Sequence, residues 1–434
     1  MAIVAPGSST TASAPDGPTS YAVPLAVVTT LFFMWGFLTC LNDILVPHLK
    51  PIFDLNYKEV MLIQFAFFGA YFLFSIPSAK VIDWIGYQRS MVVGLLTMGA
   101  GAFLFVPAAS VPSYPLFLVA LIVLAAGITC LQVAANPYVT VLGNPATASS
   151  RLNLTQAFNS LGTFLAPFFG ALFILTAAPK SIEEIRALAS DALHTYRLHE
   201  AATVKTPYIG LGIALVLLAI AIGSFNLPKI PQAQHKVGEK VNDSIWKHRN
   251  LIFGAIGIFV YVGAEVSIGS FLVNYFSQPE IGGLTEKVAA SFVAFYWGGA
   301  MVGRFIGSGL LQKMKAGHLL GICAVCAACL VTISMISTGH FAMWSIILVG
   351  FFNSIMFPSI FALGVAELGP LTGDGSGIMI MAIVGGALIP LAQGAIADRI
   401  GIHHAFFLPV ICYLYILFFA LSGSKPNSER DART

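Results

Sequence analysis

The sequence predicts an all-α membrane protein of twelve transmembrane helices in two six-helix bundles. Three observations predict it. The 434-residue chain is 57% hydrophobic and only 9% charged, where a soluble domain carries about 25% charged residues. It contains repeated apolar runs near the roughly 20 residues that a helix needs to cross a bilayer. Its second half also echoes the first at an offset close to 222 residues. The runs are too long for barrel strands and do not alternate.

The elements follow in order. Residues 1–20 are rich in Ser, Thr, Ala, Pro and Gly, lack Lys and Arg, and are expected to form a disordered tail rather than a signal peptide. Apolar runs then fall at roughly 21–47, 58–84, 90–108, 113–142, 151–177 and 204–226, the N-terminal bundle. Residues 227–248 are polar and basic and form a cytoplasmic linker. The runs at 249–278, 285–311, 317–338, 341–366, 375–398 and 403–422 make the C-terminal bundle, 249–423, and 424–434 is a tail. Residues 179–203 carry balanced charge and are expected to form an outside surface helix.

With the N-terminus inside, inside segments hold 14 Lys and Arg and outside segments 8, which favours cytoplasmic termini. The net charge of +3 is spread over loops and forms no nucleic-acid patch. Cys323, Cys326 and Cys329 have cluster-like spacing but lie on a plain apolar run, so packing is the better reading.

The repeat rests on several anchors. Asn136-Pro137 with Leu142-Gly143 matches Phe357-Pro358 with Leu363-Gly364 at an offset of 221. Gln132 falls on Asn353 at the same offset, and Asp43 falls on Glu265 at 222.

Polar residues inside the runs are the functional candidates. Asp43 sits in an otherwise lipid-compatible stretch, where a charge costs about 2.5–3.5 kcal/mol even on a lenient scale. Such an acid faces a bundle interior or watery cavity, or else a helix end wetted by headgroups. Span 7 adds a second acid, Glu265. Amides join them: Asn42, Gln64, Gln132 and Asn136 at i,i+4, Gln156 and Asn159 at i,i+3, Asn274, Asn353 and Gln393. An isolated amide serves equally as glue between helices. Their convergence on repeat-matched spans favours a cavity. Amides both donate and accept, which suits sugar hydroxyls, and Trp35, Phe67, Tyr71, Tyr296 and Trp297 could cover an apolar ring face.

Loop 2–3 holds Asp83 and Arg89, and Arg304 follows in Gly303-Arg304 after span 8. Asp83, Arg89 and Arg304 are candidate gating charges or simple helix-end charges. No His-x-x-Glu-His, nucleophile elbow or phosphate loop is present, so no enzyme activity and no cofactor are expected.

Two six-helix halves of this kind resemble the major facilitator arrangement. Leu41-Asn42-Asp43-Ile-Leu-Val-Pro47 resembles the helix 1 signature of its fucose/proton symporter family. Ala134-Ala135-Asn136-Pro137 through Gly143 and Arg151 through Ser160 resemble its helix 4 and 5 signatures, and Tyr261-Val-Gly-Ala264 and Gly303-Arg304-Phe also fit. The resemblance implies that Asp43 is an essential acid and that Asn42, Gln156 and Asn159 line a sugar cavity. There is one departure. The family's second acid, in helix 4, is here Gln132, while Glu265 stands where the fucose symporter has an amide. The stretches around Gln132 and Glu265 resemble the glucose/galactose branch.

The resulting expectation is a bacterial inner-membrane symporter. It imports a monosaccharide with a cation, acts as a monomer in the lipid bilayer, and works by rocking of its bundles. Asp43 and Glu265 are the expected cation-coupling acids. A fucose/proton symporter and a passive uniporter are the alternatives. Because Gln132 cannot titrate and Asn42 could add an oxygen ligand, sodium at Asp43 is favoured over the proton.

Overall fold

Proline and glycine decide where these long apolar runs bend, and the bends position the site. The computed structural model describes residues 21–53, 57–111, 113–173, 205–230 and 243–426, with isolated positions between 188 and 198. The side chains of 39, 41–61, 64 and 170–173 fall outside the description. The helices are α1 (Ala22–Phe53), α2 (Tyr57–Ser110), α3 (Tyr114–Val141), α4 (Ala148–Phe173) and α5 (Lys205–Ser224) in the first half. The second half holds α6 (Arg249–Phe276), α7 (Glu286–Leu310), α8 (Ala316–Ile336), α9 (Gly339–Asn353), α10 (Met356–Gly364), α11 (Thr372–Met381), α12 (Gly385–Ile400) and α13 (Phe407–Phe418). The expected tail 1–20 and most of the expected outside helix 179–203 lie outside the described residues.

Among the described residues, nine helices are long and apolar enough to cross a membrane. One of them, Phe65–Ser110, has 46 residues, enough for two spans. It is interrupted at Gly86, whose φ of 81° lies where glycine is the cheapest residue. Outside those nine, α4 is long but carries Arg151, Asn153, Gln156 and Asn159, and α1 is apolar over Ala22–Leu38, the unbroken stretch whose side chains are described. With α2 counted as two spans, the described helices occupy every predicted position.

Within the first half, α1 packs on α4, and α2 on α3 and α5. Within the second, α7 and α8 pack on α9, and α6 on α10, α12 and α13. The α1–α4 contact depends on missing side chains. A Cβ on Gly36 would stand 2.1 Å from the carbonyl oxygen of Asn159, and one on Gly162 would stand 2.2 Å from that of Phe33. Small residues let membrane helices approach to backbone contact.

Two prolines at repeat-matched positions leave two carbonyls without their helical donors. Pro137 has no N–H for Val133 O, and Pro358 has none for Ser354 O. Both carbonyls are taken by side chains from other helices. Ser376 Oγ of α11 donates to Val133 O at 2.8 Å. Arg304 Nε of α7 donates to Ser354 O at 3.3 Å. The first proline leaves α3 continuous, whereas the second follows a break between α9 and α10 at Ser354-Ile355.

Arg151 has a local role at the end of α3. Its guanidinium donates to Val139 O and Thr140 O in the last turn of α3 and to Asn144 O just past its end. Positive charge is favourable at a helix C-terminus, where carbonyls lack partners.

Candidate functional site

Residues from both halves enclose a cavity of ≈ 220 Å³. The N-terminal half contributes Trp35 and Gly36 from α1, Phe67, Phe68 and Tyr71 from α2, Gln132 from α3, and Gln156, Asn159 and Thr163 from α4. The C-terminal half contributes Val262 and Glu265 from α6, Arg304 from α7, Phe357 from α10, and Ile383. At about 30 Å³ per water, the space equals about seven waters.

The amides on this wall are held by the backbone and by Tyr71. Gln132 Nε2 donates to Tyr71 Oη at 2.7 Å. Asn159 Nδ2 donates to Phe32 O at 2.9 Å. Gln132 Oε1 and Gln156 Nε2 have no partner among the described residues. Buried polar atoms normally have one, so a hydroxylated ligand or water suits both positions.

The opposite wall is ionic. Glu265 Oε1 accepts from Tyr261 Oη at 2.8 Å, and Arg304 Nη2 stands 4.0 Å from the same oxygen. Both side chains are about one-seventh exposed or less. Arg304 also donates to Ser160 Oγ of α4, so its guanidinium ties the two halves at the cavity wall.

On one side of the cavity the halves are latched together. Lys80 Nζ reaches Asp374 at 2.7 Å and Asp83 at 3.3 Å. Ser150 Oγ donates to Ser308 O at 2.7 Å, and Asn153 Nδ2 to Arg304 O at 2.7 Å. With Ser376 on Val133, these contacts join the end of span 2 and the start of α4 to the end of α7 and the start of α11.

The structure therefore brings Gln132, Gln156, Asn159, Glu265 and Arg304 to one cavity. Asn136 is not on its wall. It is fully buried one turn toward the latched end, with neither amide atom bonded among the described residues. Asn353 is also off the wall. Its Nδ2 donates to Tyr296 and its Oδ1 accepts from Tyr413, so it organises the aromatic cluster behind Glu265. Asn274 is exposed near the end of α6, over two turns beyond Glu265. The side chains of Asn42, Asp43 and Gln64 lie outside the described residues.

The gating residues also separate. Asp83 joins the latch, while Arg89 is exposed and joins neither Lys80 nor Asp374. Arg304 sits inside α7 rather than in the following loop, because the helix continues to Leu310. The argument from membrane cost that singled out Asp43 applied equally to Arg304. Lys80 and Asp374 were missed as a pair, since nothing in sequence joins positions 294 residues apart.

The latch should contribute little in static terms. Lys80 is 48% exposed and Asp374 21%, and such pairs are worth about 0–1 kcal/mol. Asp374→Ala should shift the balance between latched and unlatched states by no more than about fivefold. Swapping the charges, as Lys80→Asp with Asp374→Lys, should restore it. Sugar affinity measured from each side of the membrane would read the shift. A loss in the swapped variant as large as in the single variant would rule out a charge latch.

A two-halved membrane protein with a central cavity lined by both aromatic and polar side chains and latched at one end has the architecture of a transporter. This chain belongs to the major facilitator superfamily, whose model matches residues 26–383. It is 54% identical over 406 residues to the glucose/galactose transporter of Brucella abortus biovar 1 (strain 9-941), covering 94% of this chain and 95% of that one. It is 35% identical over 413 residues to the L-fucose-proton symporter of Escherichia coli (strain K12), covering 94% of each. Its fold matches the crystal structure of the major facilitator transporter FucP in the outward conformation. The TM-score is 0.86 at 33% identity, covering 94% of this chain and 100% of that one.

Proposed function

We propose that this chain imports a monosaccharide of the glucose/galactose type together with protons, by alternating access of its two bundles. The observation that carries the reading is the cavity itself. Amides on one wall, suited to hydroxyls, face a carboxylate and guanidinium on the other. Trp35, Phe67 and Tyr71 offer aromatic surface for the ring of a sugar. The 54% identity to a glucose/galactose transporter supports a hexose. The relatives whose names give a coupling ion give the proton, so the expectation of sodium at Asp43 finds no support. The proton is a coupling ion rather than a cofactor.

The excess of Lys and Arg in alternate loops supports cytoplasmic termini in a bacterial inner membrane. The latched end then faces the cytoplasm and the cavity is reached from outside. Gln132, Gln156 and Asn159 bind sugar hydroxyls, and Glu265 and Asp43 carry the coupling proton.

Two measurements test this. Uptake of labelled glucose, galactose and fucose into proteoliposomes should be driven by an imposed pH gradient and be equal in sodium and choline buffers. Uptake of none of these sugars would sink the reading, and uptake driven by sodium alone would reinstate the sodium expectation. Gln156→Ala and Asn159→Ala should each weaken sugar binding by about tenfold or more, since a polar site left unpaired is penalised. Leu161→Ala, on the same helix, should not. Unchanged affinity in both amide variants would make those amides glue.

A further inference from the structure

The break between α9 and α10 presents two consecutive carbonyls, Asn353 O and Ser354 O. Each is held by a side chain that also faces Glu265. Tyr261 Oη lies 2.8 Å from Glu265 Oε1 and 3.1 Å from Asn353 O. Arg304 Nε donates to Ser354 O at 3.3 Å, while its Nη2 stands 4.0 Å from Glu265 Oε1.

A tyrosine hydroxyl has one hydrogen. It cannot serve both acceptors fully. While Glu265 is ionised, the charged oxygen is the stronger acceptor. Once Glu265 carries a proton, that claim weakens, and the Tyr261 hydrogen turns to Asn353 O. The guanidinium of Arg304 likewise loses its counter-charge and is left with Ser354 O and Ser160 Oγ. Both effects act on the same two residues of the break.

We propose that Tyr261 and Arg304 relay the protonation state of Glu265 to the helix break at Asn353-Ser354, making Tyr261 a positioning residue for the bundle motion. The inference rests on the proposed proton role of Glu265. It names the element whose backbone responds to that proton.

The surroundings leave the relay few competitors. Among the described residues, the titratable or charged groups near Glu265 are Tyr261 on its own helix, Arg304 and Tyr296 of α7, and Tyr413 of α13. Tyr296 Oη reaches the backbone oxygen of Glu265 at 3.4 Å, not its carboxylate, and accepts from Asn353 Nδ2. Tyr413 holds Asn353 Oδ1 at 2.8 Å. These two fix the side chain of Asn353 and leave its carbonyl to Tyr261. No ionisable residue occurs in α10. Asp374 of α11 is in the latch, and Asp398 and Arg399 of α12 stand in its last turn.

The test is amide hydrogen exchange across 350–360 in the full chain in lipid nanodiscs, at about pH 5 and about pH 9, corrected for the intrinsic rate and without sugar. In the unmodified protein, protection at the break should be about fivefold higher at the lower pH, the equivalent of one net hydrogen bond. Glu265→Gln should show the low-pH pattern at both values. Tyr261→Phe, which keeps the ring, should lose the pH dependence. Tyr296→Phe should lower protection overall but keep the ratio, which separates the relay from simple packing. A ratio of one in the unmodified protein, a ratio retained in Glu265→Gln or Tyr261→Phe, or a ratio lost in Tyr296→Phe would each overturn the relay. Sugar counterflow is measured on the same preparations. Its absence from the unmodified protein would defeat the functional reading while leaving the exchange result to decide the relay.

Discussion

Glu265→Gln is expected to abolish uphill sugar accumulation and leave exchange between equilibrated compartments within a few-fold of normal. One proton moving down about 100 mV supplies roughly 2.3 kcal/mol, some fifty-fold accumulation before any pH gradient is added. Glutamine matches the protonated acid in size and shape, so the local packing survives. It cannot take up or release a proton, so the driving force is lost. Exchange persists because it does not need the empty carrier to return. The check is labelled-sugar accumulation in proteoliposomes under a clamped potential, alongside counterflow in the same vesicles. Accumulation by Glu265→Gln at the unmodified level would remove Glu265 from coupling and leave Asp43 to carry it.

Arg304→Met should produce the largest loss of stability. Three groups rely on this guanidinium: Glu265, Ser160 Oγ and Ser354 O. Removing one member of a buried ion pair strands the other and costs about 3–5 kcal/mol. A separation of 4.0 Å and partial exposure put this pair at the low end, about 3 kcal/mol. The unmet Ser354 carbonyl adds to that, because Pro358 cannot supply its donor. A double-mutant cycle checks the origin of the loss. Arg304→Met with Glu265→Gln should unfold later than Arg304→Met alone, since no carboxylate is then left unpaired. Purely additive losses in thermal unfolding would falsify the ion-pair account.

Much of the site was readable as chemistry before it was placed in space. Gln132, Gln156, Asn159 and Glu265 stood out because each is polar in a run that must otherwise satisfy lipid. The same rule over-collected. It nominated Asn353, whose amide is spent on Tyr296 and Tyr413, and Asn274, which lies near a helix end. Polarity in a membrane run marks an unmet bond but does not say whether protein, ligand or water meets it. Arg304 was misassigned although the predicted run 285–311 already contained it, because Gly303-Arg304 was read as a loop motif and its place within the apolar run was overlooked.

The sequence by itself determined the membrane class, the span positions and the two-fold repeat, because lipid leaves a backbone no alternative to helix and hydropathy is a local property. Pro137 and Pro358 fixed where two carbonyls would lack donors, also locally. Only the tertiary structure decided who satisfies them. Ser376 comes from 243 residues away and Arg304 from 50. Likewise, only packing joined Lys80 to Asp374 and brought Glu265 and Arg304 of one half against Gln132 and Gln156 of the other. Across the halves, Gly377 of α11 lets α2 come close: a Cβ there would stand 2.9 Å from the Ala79 side chain and 3.2 Å from Ser75 O. That proximity arises from the fit of two surfaces, which neither strand of sequence encodes alone.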